Sequence, residues 1–409
     1  MIGAPSPLTL ATKKTTSAIR RILFDARTPV HYAMFAPVHA AMASDARVQF
    51  SFVASEEPRR AAAIFRAAGP DARVIGPGRA ALEKFDAYVT SDFMWTPLLF
   101  KTCRIQMFHG VGGKYGFDAP TESMREWQRL FFVNRRRLTN CVAAGALDAN
   151  SPAIRLIGMP KVDCLVDGTL EQAPVLRSLG LRPDRATVLY APTWSPASSL
   201  NLLGIDLLRR LRSLPVNVIV KLHDRSCDPR PRYSGGIDWR LALAPHLDAG
   251  ATALAPSSDI CPYLVAADVM ITDHSSAGFE YLLRDRPIVR IHVPHLLERA
   301  QVHPDYVRLL GDMSESTAGV EDTVAAVERA LADPARRSAT RRAVAADLFH
   351  EPGSATTRCA AALYEAIELP QPAEPGGAAP APGTQPHLPA PADDSHSVRA
   401  HRMPCQPSA

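Results

Sequence analysis

Residues 272–276 read Thr272-Asp273-His274-Ser275-Ser276, directly after the apolar run Val269-Met270-Ile271 and before a helical stretch, 277–284. A buried strand that runs through a hydroxyl-rich turn into a helix suits a phosphate. The helix N-terminus offers backbone N–H groups and partial positive charge, at the carboxyl end of a strand where open α/β sheets bind ligands. Ser275 and Ser276 add hydroxyl donors, Asp273 shares the turn, and Glu280, one turn into the helix, is placed to accept from ribose hydroxyls. A serine before a helix also serves as a plain N-cap, Ser276 here, so the turn alone does not make a site.

Two neighbours on the same expected sheet strengthen it. Tyr190-Ala191-Pro192-Thr193-Trp194 follows one strand, and Lys221-Leu222-His223 ends the next. Lys221 and His223 alternate around Leu222, so on an extended chain they share a face and bring a cation and an imidazole to a phosphate. Thr193, Lys221, His223, Asp273, Ser275, Ser276 and Glu280 are therefore the expected donor-binding set. In the first half, Ile105-Gln106-Met107-Phe108 runs into His109-Gly110-Val111-Gly112-Gly113-Lys114. Gly110, Gly112 and Gly113 let the backbone approach a ligand closely, and His109 at the strand end is suited to take a proton near neutral pH. A similar loop builds the oxyanion hole of esterases, but that chemistry needs a GxSxG elbow, which the sequence lacks.

The elements that must position these groups alternate between short apolar runs and helix-length segments. Expected strands fall at 21–25, 48–53, 73–76, 87–90, 104–108, 141–144 and 154–158, then at 187–191, 216–222, 252–254, 269–272 and 287–293. That rhythm implies parallel sheets covered on both faces, in two doubly wound α/β domains facing a cleft. The expected division is a disordered N-terminus over 1–20, an acceptor-side Rossmann-like domain over 21–165, a nucleotide-donor domain over 166–369, and a disordered Pro/Ala-rich tail over 370–409. Helices expected at 321–333 and 354–369 close the second domain.

Length and composition agree with this organisation. A chain of 409 residues with 46% hydrophobic and 21% charged residues supports two domains, and a formal charge of +5 demands no nucleic-acid partner. Seven scattered cysteines without a CxxC pair favour a reducing compartment and no structural zinc. No stretch reaches the roughly 20 apolar residues that span a bilayer, so the expected location is cytoplasmic. Trp127, Leu130, Phe131 and Phe132, beside Arg125, Arg129 and Arg135, Arg136 and Arg137, have two readings: an aromatic core stripe beside a solvated charged face, which is the commoner case, or an amphipathic basic helix that lies on the inner face of the membrane. His31 and His39 fall on the acceptor side with no assigned role.

The ordered set His109-Gly110, Tyr190-Ala191-Pro192-Thr193-Trp194, Lys221-Leu222-His223, and Ala267-Asp268 through Ser275-Ser276 to Pro287-Ile288 resembles the CDP-glycerol glycerophosphotransferases that prime and polymerise teichoic acid. Ile157-Gly158-Met159-Pro160-Lys161-Val162-Asp163 is similar to the segment that family carries near its domain junction. The resemblance implies a GT-B architecture and metal-independent transfer of glycerol phosphate, or a related alditol phosphate, from a CDP-linked donor to a lipid-linked or polysaccharide acceptor. By position, it makes His109 the general base and His223 the group that binds the diphosphate or steadies the CMP leaving group. Ser275 and Ser276 match the phosphate-binding serines, and Glu280 the acidic residue facing the nucleotide. The chain departs from the family pattern at Val111-Gly112-Gly113 in the acceptor-side loop, where Thr-Pro is usual, at Asp224, where Pro is preferred, and at His274, where Tyr is usual. A UDP-sugar glycosyltransferase or epimerase on the same scaffold, and a non-catalytic nucleotide-binding protein, are the alternative readings.

Overall fold

The computed structural model describes residues 19–112 and 122–372. Gly113 and Lys114 of the acceptor-side loop, and nearly all of the segments 1–20 and 370–409 expected to be disordered, lie outside the described residues.

Six parallel strands form the first sheet: β1 (Arg20–Asp25), β2 (Val48–Val53), β3 (Ala87–Thr90), β4 (Cys103–Met107), β5 (Arg129–Phe132) and β6 (Ile154–Leu156), in the order β2-β1-β3-β4-β5-β6. Six more form the second: β7 (Thr187–Tyr190), β8 (Asn217–Val220), β9 (Thr252–Leu254), β10 (Val269–Thr272), β11 (Ile288–Ile291) and β12 (Glu315–Thr317), in the order β12-β11-β10-β7-β8-β9. Every residue of β3, β7, β8 and β10 is buried, as expected of parallel strands with helices on both faces. The strand order reverses between β7 and β10 in the second sheet and between β1 and β3 in the first. Open α/β sheets bind ligands at such reversals.

Three expectations need correction. Residues 141–144 are not a strand: they end the helix Arg135–Ala143, whose N-cap Asn134 accepts from Arg137 N–H at 2.8 Å. The strand of this region is β5, and with it the basic membrane helix disappears, because Leu130, Phe131 and Phe132 are fully buried and Trp127 is 4% exposed. A continuous apolar run fits a doubly covered strand as well as one face of a helix. The stretch 73–76 keeps only a single bridge, Val74 to Phe52.

The helix Ala355–Ala366, expected to close the second domain, instead packs on the first-half helix Pro29–Met42. Tyr364 donates to Asp45 Oδ2 at 2.9 Å, and Asn134 Nδ2 donates to Leu348 O at 3.1 Å. Ser354, at the helix N-cap, makes no side-chain capping bond. Asp163 supplies it, accepting Gly353 N–H at 2.7 Å, Ala355 N–H at 3.2 Å and Thr356 N–H at 2.7 Å. Asp163→Ala leaves three inward-facing donors without a partner and is expected to cost about 1.5–3 kcal/mol, the scale of hydrogen bonds to a charged group. Urea unfolding measures it, and an unchanged midpoint would mean that water replaces the carboxylate.

Among the described residues, no helix is long and apolar enough to cross a membrane.

Candidate active site

A cavity of about 500 Å³ lies between the carboxyl ends of the two sheets and is lined from both halves of the chain. On the second-half side it opens at the strand-order reversal. Ser275, not Ser276, is the N-cap of the helix Ser276–Glu280, and its Oγ accepts Ala277 N–H at 3.3 Å. That leaves Ser276, the first helical residue, exposed at the cleft wall. Asp273 does not line the cleft. Its fully buried carboxylate accepts Thr193 N–H at 2.9 Å through Oδ1, and Ser199 N–H and Oγ–H at 3.1 Å through Oδ2. Asp273 thus fixes the loop after β7 and thereby positions Thr193 in the cleft wall.

Lys221 and His223, beyond β8, both line the cleft. Lys221 is buried and donates to Leu222 O at 2.6 Å. Desolvation pulls its pKa down, against the pull of Asp224 and Asp259. His223 Nδ1 accepts Arg225 N–H at 3.1 Å, so in the neutral ring the proton sits on Nε2, a donor suited to a phosphate oxygen. Trp194 lies 6.1 Å from the His223 ring, and the Arg225 guanidinium covers the Trp194 face at 4.5 Å.

Across the cleft, His109 follows β4. Its Nδ1 makes a short hydrogen bond to Ser91 O. A carbonyl oxygen only accepts, so Nδ1 carries the proton and Nε2 keeps its lone pair, which is the tautomer a base requires. Val111 O, in the following loop, accepts Asn134 Nδ2–H and Tyr306 O–H, both at 3.1 Å. Tyr306 comes from the second half, so the acceptor-side loop is held from both sides of the cleft. Gly110 and Gly112 line the same wall, and Gly112 has φ 110°, a left-handed conformation that favours glycine.

His31, beyond β1, packs against His109 with ring centroids 4.9 Å apart. His39 lies elsewhere, bonded to Tyr32 Oη at 2.9 Å. His31, Asp92 and His109 bring ligand atoms within 4.8 Å of one another, the one grouping among the described residues with a metal-like spacing. Its bonding is that of a hydrogen-bonded cluster: His31 Nδ1 accepts Arg27 N–H at 3.3 Å, which puts the neutral ring's proton on Nε2, and the Arg27 guanidinium lies 3.3 Å from Asp92 Oδ2. Burial, then His109, Arg27, Arg225 and His223, hold the His31 pKa well below 6.5. The folded state therefore resists a proton that the unfolded chain accepts, and stability falls as pH drops below about 6.5. His31→Gln should flatten that acid limb of the stability profile. An unchanged slope would place its origin elsewhere.

Several cleft residues escaped sequence reasoning. Lys161 Nζ donates to Glu280 Oε2 at 2.7 Å in a pair that is buried on both sides. Desolvation is the largest single influence and lowers the Lys161 pKa, but Glu280, Cys261 and Asp259 together outweigh it and the net shift is upward. Arg137 turns inward, over the Phe108 ring at 4.1 Å, rather than toward a surface. Its inward register could have been read from Asn134, a capping residue three positions earlier. The Asp92 and Arg27 signals are too common to single out.

Residues 87–351 match the model of the family described as CDP-glycerol:poly(glycerophosphate) glycerophosphotransferase. The chain belongs to that family. It is therefore a transferase of the CDP-glycerol glycerophosphotransferase type. Among solved structures it is similar to a variant of the wall teichoic acid polymerase TagF (TM-score 0.62, 16% identity, 85% of this chain and 89% of that one). The same polymerase soaked with CDPG gives TM-score 0.64 at 14% identity, covering 87% and 91%. A putative UDP-N-acetylglucosamine 2-epimerase from Listeria monocytogenes is less similar, at TM-score 0.55 and 14% identity, covering 86% and 97%. These likenesses establish the GT-B fold of two Rossmann-like sheets about a cleft. No protein of curated function matches the chain.

Proposed function

We propose that this glycerophosphotransferase carries glycerol phosphate from CDP-glycerol to a hydroxyl of a lipid-linked or polysaccharide acceptor, releasing CMP. The observation that carries the reading is the pair of histidine tautomers in one cleft: His109 offers a lone pair on Nε2, and His223 offers an N–H there. The acceptor oxygen attacks the β-phosphorus and its proton passes to His109 Nε2. The new O–P bond forms as the bond from the β-phosphorus to the bridging oxygen breaks, and CMP leaves with that oxygen. Charge gathers on the transferred group and on the leaving phosphate. Lys221, His223 and the start of the helix at Ser276 stand ready to stabilise it by preorganised electrostatics. Glu280 keeps Oε1 for nucleotide hydroxyls while Oε2 holds Lys161.

In this reading residues 21–165 supply the acceptor side and the second sheet the donor side. On the same reading, a nucleotide donor suits a reaction in the cytoplasm, and a lipid-linked acceptor, where that is the one used, would bring it to the inner face of the membrane. Purified protein given CDP-glycerol and an acceptor preparation should release CMP, and should release no UDP from a UDP-sugar. Absence of CMP above the acceptor-free control would overturn the reading.

A further inference from the structure

The turn that fixes the His109 ring is itself held by side chains. Among the described residues, residues 92–98 make no backbone–backbone hydrogen bond. In place of a ladder, Tyr88 Oη accepts Thr96 N–H at 3.2 Å and Arg104 Nη2 donates to Thr96 O at 3.0 Å. Two further bonds grip the start of the segment. Ser91 O accepts His109 Nδ1–H, and Phe93 N–H, two residues on, donates to Gln106 Oε1 at 3.0 Å. Gln106 pairs in the sheet with Thr90, the last residue of β3, so its side chain reaches the turn that leaves that strand.

Phe93 has φ 51°, a left-handed conformation that strains a bulky side chain and persists only where the surroundings impose it. Its ring is set edge-on against Phe108 at 5.5 Å and Trp127 at 6.2 Å, and its N–H is held by Gln106. Gln106 is fully buried at the cleft wall, and its Nε2 has no partner among the described residues. A backbone N–H only donates, so the amide oxygen must face Phe93 and the NH₂ group goes unused. Buried amides ordinarily satisfy both ends. Position 106 therefore uses an acceptor oxygen and makes no use of the donor.

We propose that Gln106 is a positioning residue for His109. Through Phe93 N–H it holds the turn in the conformation that aims Ser91 O at His109 Nδ1, and so keeps the lone pair on Nε2 facing the cleft. That His109 is the base rests on the transferase reading above, whereas the hold on its tautomer does not. Any side chain that brings an acceptor oxygen to Phe93 N–H serves: glutamate does so, charged or neutral, and leucine does not.

Gln106→Leu should lower kcat for CMP release by about tenfold to 10²-fold, the scale of displacing a reacting group by ~1 Å, with Kd for CDP-glycerol and KM for the acceptor unaltered. Gln106→Glu should recover most of that rate. Nitrogen NMR spectra of the histidine rings, recorded without substrate, should show His109 protonated on Nδ1 in the wild type and in Gln106→Glu, and a mixture of tautomers in Gln106→Leu. A wild-type kcat in Gln106→Leu, a Gln106→Glu protein as slow as Gln106→Leu, or an Nδ1-protonated His109 in all three would overturn the proposal. So would a Gln106→Leu chain that no longer binds CDP-glycerol, because the residue would then serve the fold as a whole. The expected tautomers with no CMP release by the wild type would instead defeat the transferase reading and leave the hold on His109 standing.

Discussion

His109→Ala is expected to lower kcat for CMP release by about 10²- to 10⁴-fold, the range attributed to a positioned general base, with CDP-glycerol affinity unchanged. The size follows from the place of the ring. Ser91 O fixes its tautomer, His31 packs against its face, and the loop that follows is tied down through Val111 O. The alanine variant keeps all of the donor wall, so a titration with CDP-glycerol separates binding from chemistry. His109→Gln tests the same point with less loss of volume, since an amide cannot take up the acceptor proton. Turnover within a few-fold of wild type in either variant would remove His109 from the chemistry and leave it a cleft-wall residue.

Lys161→Met should destabilise the fold by about 3–5 kcal/mol, because it leaves the Glu280 carboxylate buried without its partner. Against a total stability of about 5–15 kcal/mol this is a large share. The double variant Lys161→Met/Glu280→Leu removes both charges and should recover most of the loss, as replacing a whole buried pair by apolar groups often does. Urea unfolding distinguishes the two outcomes. A single-variant cost near the ~0–1 kcal/mol of an exposed ion pair would mean that water reaches the pair. The recovered double variant should still bind CDP-glycerol poorly if Glu280 faces the nucleotide, which separates its structural part from its ligand part.

The parallel architecture was legible because strands covered on both faces are written as short apolar runs, and ten of the twelve expected runs overlap a strand: β7, β8 and β10, for example, lie within the runs at 187–191, 216–222 and 269–272. The error at β5 came from the same property. Leu130-Phe131-Phe132 carries no alternation, and the arginines around it suggested a helix that the sheet does not contain. The edge strand β12, Glu315–Thr317, is too short and polar to announce itself. Within the cleft, residues that follow strands directly, such as His109, Lys221, His223 and Ser275, could be found from strand ends alone. Lys161 and Arg137 could not, because their inward direction depends on partners 119 residues away in one case and on the Phe108 face in the other. Asp273 was read as a ligand group from its place in the turn, and only the positions of Thr193 and Ser199 show what its carboxylate does.

The return of helix Ala355–Ala366 to the first-half helix Pro29–Met42 bears on how the protein is made. During synthesis from the N-terminus, the first sheet leaves the ribosome long before the helix that covers part of it. Cys359, Leu363 and Ile367, all buried in the finished molecule, are the last contributors to that core. A nascent chain stopped near residue 340 would carry both sheets with this cover missing, a state for a chaperone to shield. The final thirty residues of the folded body complete the cover of the first sheet.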